Sequence, residues 1–491
     1  MRRFVLIGRD AALWLTAAAL ARGIPSGLAE IAVVELPSVL TPAGVYASQP
    51  PLEALHQRIG IDEAMLLRLT GAVFSLGQNF TGPPARTFFH AWAAYGAPVE
   101  RHQFFDLWLR ARDGGLRIDL QEFCPAAIAA THGRIMLPSE PALAFGRIEY
   151  GYHLPAIPYC GLLKELAAKQ GVAIHRSTVA GVEHAPTPET LAAVILDDGT
   201  RIEGELFVDA TGDGTLLDSL AGRTSGRQNG AARSLRLLTA NAPAFGEIPP
   251  FAELRATPEG WLRLHPVRTA TGVQYVFDDR IGDDEAVEQA GQSAQAPLWD
   301  IEIGPVLSRE IGDPWTGNCV AIGSSARTFD PVHPVQLHAI QLGIVHLLAL
   351  LPATDDVSAE RREYNRIIGS SFDRIADFLQ AVYALAPWTG PFWDDARAAP
   401  ASDALQHLLA TFRARGEIAP MEDESFSPDS WRIMLTGLGA YPESWPPTAD
   451  RLAPERLKHN IVAMLRFIKD TVLEQPHHNA YLRDMIGNPR S

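Results

Sequence analysis

The sequence predicts an α/β fold in which a largely parallel sheet carries a helical C-terminal module. The chain opens with an apolar strand at Phe4–Ile7, an alanine-rich helix at Ala12–Ala21 and a second strand at Ile31–Glu35, which together make a β-α-β unit. An opening strand without polar residues is typical of a parallel sheet that is covered on both faces. From about Glu360 onward the pattern is helical, with aromatic and proline interruptions.

Two later segments extend the predicted sheet. The first contains a helix and three short strands, at Leu162–Ala168, Gly171–Ile174, Ala192–Leu196 and Leu206–Asp209. A hairpin-type turn follows the middle strand at Asp197–Gly199. The second segment contains a strand at Cys319–Gly323 and an apolar helix from about Val335 to Leu351. Because all three pieces combine strands with a helix, we expect them to form one α/β sheet.

These patterns predict two domains. The α/β domain spans residues 1–355 and carries inserted segments at about 50–150 and 225–310. The helical C-terminal module spans residues 356–491. A chain of 491 residues is long enough for one large core or for two to three smaller ones, so its length permits this division.

Composition narrows the classes of partner. The chain has 57 acidic and 42 basic residues, a formal net charge of -15 and no basic stretch that could neutralise a phosphate backbone. We therefore expect no nucleic-acid partner. No segment reaches about 18 consecutive apolar residues, so we expect no membrane partner. The three cysteines are far apart and odd in number, which predicts neither a disulfide framework nor a metal site and favours the cytoplasm.

An ordered series of short motifs covers nearly the whole chain and resembles the flavin-dependent tryptophan halogenases. The motifs are Val34-Glu35, Phe74–Gly77, Tyr150–His153, Phe207–Gly212, Gly260-Trp261, Gly317–Gly323, Asp377-Phe378, Pro391–Trp393, Ser430-Trp431, Gly437, Gly439 and Tyr441-Pro442. The resemblance implies an FAD-binding, Rossmann-like domain of the glutathione-reductase type, with substrate-domain insertions and a helical C-terminal module. It also implies reduced FAD as cofactor, an aromatic small molecule as ligand and a flavin reductase as partner if the protein is active. A homodimer or a complex with a homologue follows only by analogy.

In such a family, reduced FAD reacts with oxygen and halide to give hypohalous acid, which reaches a lysine beside the aromatic substrate. A glutamate near that lysine assists. The resemblance assigns flavin contacts to Gly8, Trp14, Glu35, Asp209, Gly212, Gly323, Asp330 and Pro331. Glu35 is expected to accept hydrogen bonds from a ribose, or else to be an exposed carboxylate at a strand end.

The phosphate-binding turn departs from the family pattern. The G-x-G-x-x-G motif of the family is replaced by the sequence GRDAALW at residues 8–14, which keeps only the first glycine. Asp10 adds a like charge beside a diphosphate, which costs roughly 4 kcal/mol at about 4 Å and an effective dielectric of about 20. Leu13 adds an overpacking cost of about 1–3 kcal/mol, unless the helix shifts outward. We therefore predict weak or absent flavin binding.

The catalytic positions also differ from the family pattern. Ser75 occupies the place of the lysine, and a serine hydroxyl cannot form a chloramine or act as an ammonium donor. His333 occupies the place of the glutamate and is either a general base, since its ordinary pKa is about 6.5, or a hydrogen-bonded structural residue. The first lysine of the chain is Lys164. The halogenating pair is thus replaced at both positions.

The substrate region keeps part of the family pattern. The family motif W-x-W-x-I-P corresponds to Trp261–Pro266, which retains the first tryptophan and the proline. Family geometry would place Trp261, Phe392 and Trp393 at the border of an aromatic-substrate pocket, and the alternative is that these side chains are core.

Two functions remain open from the sequence. The favoured one is a degenerate member of the family that has lost FAD binding and halogenation and acts as a binding or partner protein. The alternative is an active flavin-dependent monooxygenase or halogenase that acts on an aromatic substrate with rebuilt catalytic residues. A colourless purified protein would favour the first function, and a yellow one the second.

Overall fold

The computed structural model describes residues 2–25, 27–84, 87–137, 149–187, 189–220, 234–352, 354 and 356–487. The chain divides into two compact units. The first unit comprises Met1–Gly71, Leu154–Ser234 and Pro305–Asp373, and the second comprises Ala72–His153, Leu235–Gly304 and Arg374–Ser491. Parts of the predicted insertions, at 85–86, 138–148 and 225–233, lie outside the described residues. The domain limits that the sequence predicts stay a prediction.

The first unit is built on a sheet of six strands within the described residues. In spatial order the strands are Trp315–Thr316, Cys319–Ala321, Leu206–Ala210, Arg2–Gly8, Ala29–Glu35 and Ala173–Arg176. All neighbouring strands are parallel except the first pair. The central strand is buried from Phe4 to Gly8, as its apolar sequence requires for a sheet covered on both faces.

Helices and a small second sheet complete the first unit. The helices are Asp10–Gly23, Pro51–Ile59, Glu63–Thr70, Ala156–Lys169, Thr215–Leu220 and Gln336–Ala349, and Ser358–Leu385 runs on into the second unit. An antiparallel sheet contains Arg201–Glu203, Leu191–Leu196 and Val179–His184. Val45–Ala47 is a further short strand, and Gly323–Ser325 is a 3-10 turn.

The second unit is built on a mainly antiparallel sheet, with seven strands among the described residues. In spatial order they are Trp299–Pro305, Leu235–Ala242, Thr271–Asp278, Gly260–Pro266, Ala252–Thr257, Gly77–Thr81 and Phe88–Ala91. Gly77–Thr81 and Ala252–Thr257 are parallel to each other. Val73–Ser75 pairs with Gly151–Pro155 in an antiparallel ladder that sets Ser75 opposite Gly151.

Helices form the rest of the second unit. They are Phe104–Asp113, Pro125–Thr131, Asp283–Ala294, Pro391–Ala398, Asp403–Arg415, Pro428–Gly437, Pro454–Glu474 and His478–Gly487, with 3-10 turns at Leu120–Phe123 and Pro447–Arg451. Two of these helices have side-chain N-caps, in which Ser402 accepts from the Leu405 N–H and Ser427 from the Ser430 N–H. No helix within the described ranges combines the length and the apolar character needed to cross a bilayer.

The predicted fold class is confirmed, because a Rossmann-like parallel sheet joins strands from three separate parts of the chain. The prediction that every strand of the second segment belongs to that sheet is wrong. Leu191–Leu196 instead pairs with its own hairpin partner, Arg201–Glu203, across the predicted Asp197–Gly199 turn. A short apolar run indicates a strand but does not specify which sheet that strand joins.

Candidate functional site

The turn between the first strand and the first helix begins at Gly8. A Cβ atom at this position would lie 2.1 Å from the backbone oxygen of Ala210, on the neighbouring parallel strand. That distance is far inside van der Waals contact, so any other residue would push the two strands apart. The sheet itself therefore requires Gly8, and the cofactor role assigned to it stays a prediction.

Asp10 follows Gly8 and has a backbone φ of 57°, in the left-handed region. This conformation costs a residue with a side chain roughly 1–2 kcal/mol, although aspartate tolerates it better than most. The Asp10 carboxylate accepts hydrogen bonds from the Ser38 hydroxyl at 2.6 Å and from the Val39 backbone N–H at 3.3 Å. The loop after the second strand thus holds a carboxylate beside the first turn.

The groups around Asp10 respond to burial and to its charge. Burial is the main cause that raises the pKa of the Cys160 thiol, and the negative charge of Asp10 raises it further. Burial also raises the pKa of Tyr46, with smaller contributions from Cys160 and Asp10. One turn further along the helix, the Leu13 side chain is fully buried. A charged side chain and an aliphatic one therefore occupy the second and third glycine positions of the G-x-G-x-x-G motif.

Glu35 lies at the end of the second strand and is ion-paired. The Lys164 ammonium is 2.5 Å from one of its carboxylate oxygens and 2.6 Å from the other, and the Arg176 Nε is 3.1 Å away. The Lys164 Nζ also lies 5.1 Å from the centre of the Trp14 ring, which is buried in the first helix. Two of the predicted flavin contacts, Trp14 and Glu35, are thereby brought together by a lysine.

Asp209 is the centre of a second turn, which follows the strand Leu206–Ala210. Its fully buried carboxylate accepts hydrogen bonds from the Thr211 and Ser325 hydroxyls at 2.7 and 2.9 Å. It also accepts from the backbone N–H groups of Leu216 and Leu217, at 2.9 and 3.1 Å. A buried carboxylate satisfied in this way fixes the turn and the start of the helix that follows it.

Ser325 joins two more predicted flavin contacts to this turn. Its hydroxyl accepts the Gly212 backbone N–H at 2.8 Å, and it ends the 3-10 turn that begins at Gly323. Gly323 has a φ of 64°, a conformation that favours glycine. The structure therefore brings the three predicted contacts together: Asp209 and Gly212 bond to the Ser325 hydroxyl, and Gly323 begins the turn that Ser325 ends.

A buried ion pair lies behind this network. The Arg309 guanidinium contacts both carboxylate oxygens of Asp218, at 2.8 and 3.0 Å, and its Nε donates to the Ser325 backbone oxygen at 3.0 Å. Both side chains are at most 10% exposed. Sequence reasoning missed this pair, because 91 residues separate the partners and no spacing signal joins them.

His333 is also in the first unit and is 1% exposed. Just before it, the Asp330 carboxylate accepts the Val332 backbone N–H at 2.8 Å, which fixes the turn at Pro331. Just after it, the Gln49 amide donates to the Pro334 backbone oxygen at 3.4 Å. His333 thus lies in a buried segment that hydrogen bonds on either side hold in place. Its catalytic role stays a prediction.

Ser75 lies in the second unit, on the strand Val73–Ser75. It is 3% exposed, and its hydroxyl donates to the Gly77 backbone oxygen at 3.3 Å. The preceding Phe74 ring lies against the rings of Tyr150 and Tyr481, with centroids 5.1 and 5.6 Å apart. The hydroxyl is therefore engaged by local backbone within an aromatic environment.

The predicted substrate residues form a fully buried aromatic cluster in the second unit. The Trp261 indole N–H donates to the Tyr383 hydroxyl at 3.0 Å, and the Tyr383 and Trp393 rings lie 6.0 Å apart. The Trp393 indole N–H donates to the Thr257 backbone oxygen at 2.7 Å, and the Phe392 and Trp393 rings are 5.0 Å apart. The structure brings Trp261, Phe392 and Trp393 together as core, and their role towards a substrate stays a prediction.

A buried polar cluster next to Trp261 was not predicted. Arg263, at the second tryptophan position of the family motif, is 2% exposed, and its guanidinium lies 4.8 Å over the Trp261 ring. His265 lies with its ring 5.2 Å from that of His153. Burial lowers the pKa of His153 to about 4 and that of His478 also to about 4. These imidazoles are therefore neutral at pH 7.

The described residues contain no group of three or more histidine, cysteine, aspartate or glutamate side chains suited to a metal ion. All three cysteines are buried and free. Burial raises the pKa of Cys124 to about 12, so its thiol is protonated and unreactive at neutral pH. The chemistry of the site thus depends on the turns and side chains described above.

Comparison with known proteins identifies the family. The family model for tryptophan halogenase matches residues 3–454. Tryptophan 7-halogenase RebH of Lentzea aerocolonigenes is 23% identical over 501 aligned residues, which cover 90% of each chain. Tryptophan 6-halogenase SttH of Streptomyces toxytricini is 26% identical over 60% of this chain and 59% of its own.

Solved structures agree with this result. Xcc4156, a flavin-dependent halogenase from Xanthomonas campestris, superposes with a TM-score of 0.92 at 28% identity, over 100% of this chain and 99% of its own. BrvH, a flavin-dependent halogenase from Brevundimonas sp. BAL3, superposes with a TM-score of 0.91 at 27% identity, over 99% of each chain. FAD is the cofactor of the family, and its halogenases work with a flavin reductase. This chain belongs to the tryptophan halogenase family of flavin-dependent halogenases.

Proposed function

We propose that this family member has lost FAD binding at its first turn and lysine-dependent halogenation, and that it acts as a binding or partner protein. The observation that carries the proposal is the Asp10 carboxylate, held beside the first turn by Ser38 and Val39. A bound diphosphate requires bare backbone and positive potential at this place, because it approaches the N–H groups at the start of the helix.

The residues around the first turn do not fit FAD. Asp10 would repel the diphosphate by roughly 4 kcal/mol at about 4 Å, which corresponds to about three powers of ten in affinity. Glu35, which would accept the ribose hydroxyls, is bonded to Lys164 and Arg176. A ribose would have to compete with those two cations for the carboxylate oxygens. Both features act against the same cofactor.

The small number and the positions of the lysines support the loss of halogenation. The chain contains four lysines, of which Lys164 is paired with Glu35 and the others, Lys169, Lys458 and Lys469, are exposed on helices. Ser75 stands in the place of the family lysine and donates to backbone. An exposed lysine is open to water, so it cannot hold hypohalous acid beside a sequestered substrate.

The intact second turn favours one alternative function. Asp209, Gly212 and Ser325 form a complete network at the carboxyl end of a central strand, where ligands of open α/β sheets bind. A flavin-dependent monooxygenase or halogenase with rebuilt catalytic residues, acting on an aromatic substrate, would use this turn. Under either function we propose a cytoplasmic location, supported by three unpaired thiols. We propose that the partner is a second copy or a homologue.

Flavin content and turnover together test the proposed function. The protein is purified without added flavin, its absorbance is recorded, and it is then assayed with reduced flavin from a reductase, bromide and indole. We expect a colourless protein and no brominated product. A yellow protein with about one FAD per chain, or bromide-dependent product, would contradict the proposal. Oxygen incorporated into indole without bromide would support the monooxygenase alternative.

A further inference from the structure

We propose that the second unit contains a binding site for a small zwitterion, a molecule with a carboxylate and an ammonium group. The site is a cavity of about 320 Å³, whose walls include Trp108, Arg112, Asp119, Gln121 and Tyr441. A cavity of this size lies at the lower end of the range that holds small molecules. None of its lining residues belongs to the cofactor or catalytic positions above, so the proposal does not depend on the proposed function.

Arg112 supplies the positive charge. Its guanidinium carbon lies 4.2 Å from the centre of the Tyr441 ring and 5.1 Å from that of Trp108. Stacking on ring faces orients the guanidinium but uses none of its N–H donors. Among the residues that the structure describes, that guanidinium has no hydrogen-bond or ion-pair partner. A carboxylate is the group that pairs with two of its donors at once.

The walls around Arg112 are held in place by hydrogen bonds. The Trp108 indole N–H donates to the Ile118 backbone oxygen at 3.0 Å, which fixes the ring under the guanidinium. The Gln121 side-chain oxygen accepts the Phe89 backbone N–H at 2.7 Å. This leaves the Gln121 NH2 group, without a partner in the described part of the chain, as a second donor for a carboxylate. The site is therefore organised before any ligand binds.

The negative charge of Asp119 favours a zwitterion over a simple anion as the ligand. This residue is exposed, lines the same cavity and makes no ion pair with Arg112 or with any other described residue. A ligand with only a carboxylate would gain Arg112 but would be repelled by Asp119. A ligand with an ammonium group a few bonds from its carboxylate pairs with both charges. The lining therefore favours a small amino acid over a simple carboxylate or phosphate.

A series of straight-chain amino acids tests the site. Glycine, β-alanine, 4-aminobutanoate and 5-aminopentanoate are titrated into the full-length protein by saturation-transfer NMR at low salt, because their charges are spaced differently. Pentanoate and pentylamine, which carry one charge each, are the matched probes. We expect one amino acid to bind at least tenfold more tightly than either single-charge probe. If no amino acid of the series binds with a Kd below about 10 mM, the proposal is overturned.

Variants locate the binding. Arg112→Gln is expected to lower the affinity for the amino acid at least tenfold. Arg112→Lys keeps the charge but not the bidentate donor, so it is expected to lower the affinity less. Arg117→Gln is the control, because Arg117 is exposed and bonds only to backbone oxygens. Asp119→Asn is expected to remove the preference for the zwitterion over pentanoate. Unchanged binding in a folded Arg112→Gln variant, checked by circular dichroism, would overturn the site.

Discussion

The Lys164 ammonium contacts both carboxylate oxygens of Glu35, at 2.5 and 2.6 Å, across 129 residues of sequence. The side chains are 25% and 20% exposed, so water screens this pair only in part. The contact joins the second strand to the helix Ala156–Lys169 at the position that the resemblance predicts for a ribose contact. The predicted cofactor position is thus occupied by an ion pair within the first unit.

This ion pair is expected to be measurable in a double-mutant cycle. Lys164→Met and Glu35→Gln, alone and together, should give a coupling free energy of about 1–2 kcal/mol in urea unfolding, between the values for exposed and buried pairs. Arg176→Met is the control, because Arg176 is 76% exposed, and it should change stability by less than about 0.5 kcal/mol. A coupling free energy below about 0.5 kcal/mol would show that the Lys164–Glu35 pair does not stabilise the protein.

Asp10→Gly tests the backbone conformation of the first turn. Glycine removes the left-handed strain but also the hydrogen bonds to Ser38 and Val39, so the two effects should nearly cancel and leave stability within about 1 kcal/mol. Asp10→Val should lose about 2 kcal/mol or more, since a β-branched residue tolerates this φ poorly. Thermal unfolding of both variants makes the comparison. Equal stabilities for Gly and Val at this position would contradict the strained turn.

Ser325→Ala tests the second turn. The substitution removes a donor to Asp209 and an acceptor for the Gly212 N–H inside a buried network, so we expect a loss of about 2–3 kcal/mol in urea unfolding. Ser324→Ala, at the preceding and less buried residue, should change stability by less than about 0.5 kcal/mol. If both variants unfold alike, the hydroxyl of Ser325 does not support the turn.

The buried histidines predict a loss of stability in acid. Burial lowers the folded-state pKa of His478 to about 4, while its unfolded value is 6.5. The unfolded chain therefore binds more protons between those values. The contribution of His478 is complete above about pH 6.5 and is lost as the pH falls towards 4, at up to about 1.4 kcal/mol per pH unit.

His478→Asn isolates this contribution, because asparagine can keep the donor to the Ile248 backbone oxygen. The variant should show a shallower fall of unfolding free energy between pH 6.5 and 4 than the unmodified protein. His459→Asn, on an exposed helix surface, is the control and should leave the slope unchanged. An unchanged slope in His478→Asn would show that this imidazole does not resist protonation.

The sequence predicts the fold well because its signals are local. The strands at Phe4–Ile7 and Leu206–Asp209 can each be predicted from their own apolar residues. The site is less predictable, since its contacts join distant residues. Asp10 meets Ser38, and Arg309 meets Asp218, without any periodic pattern that would indicate the pairing. Resemblance to the family locates the altered positions, but the partners of the new side chains come only from the structure.

An anaerobic titration with reduced FAD, monitored by calorimetry, tests most directly the central claim that FAD binding is lost. The charge at Asp10 and the pairing of Glu35 predict no binding tighter than about 10 µM, which is roughly 7 kcal/mol. The double variant Asp10→Gly/Leu13→Gly should bind more tightly than the unmodified protein. Binding by the unmodified protein well below 10 µM, unchanged in the double variant, would contradict the account.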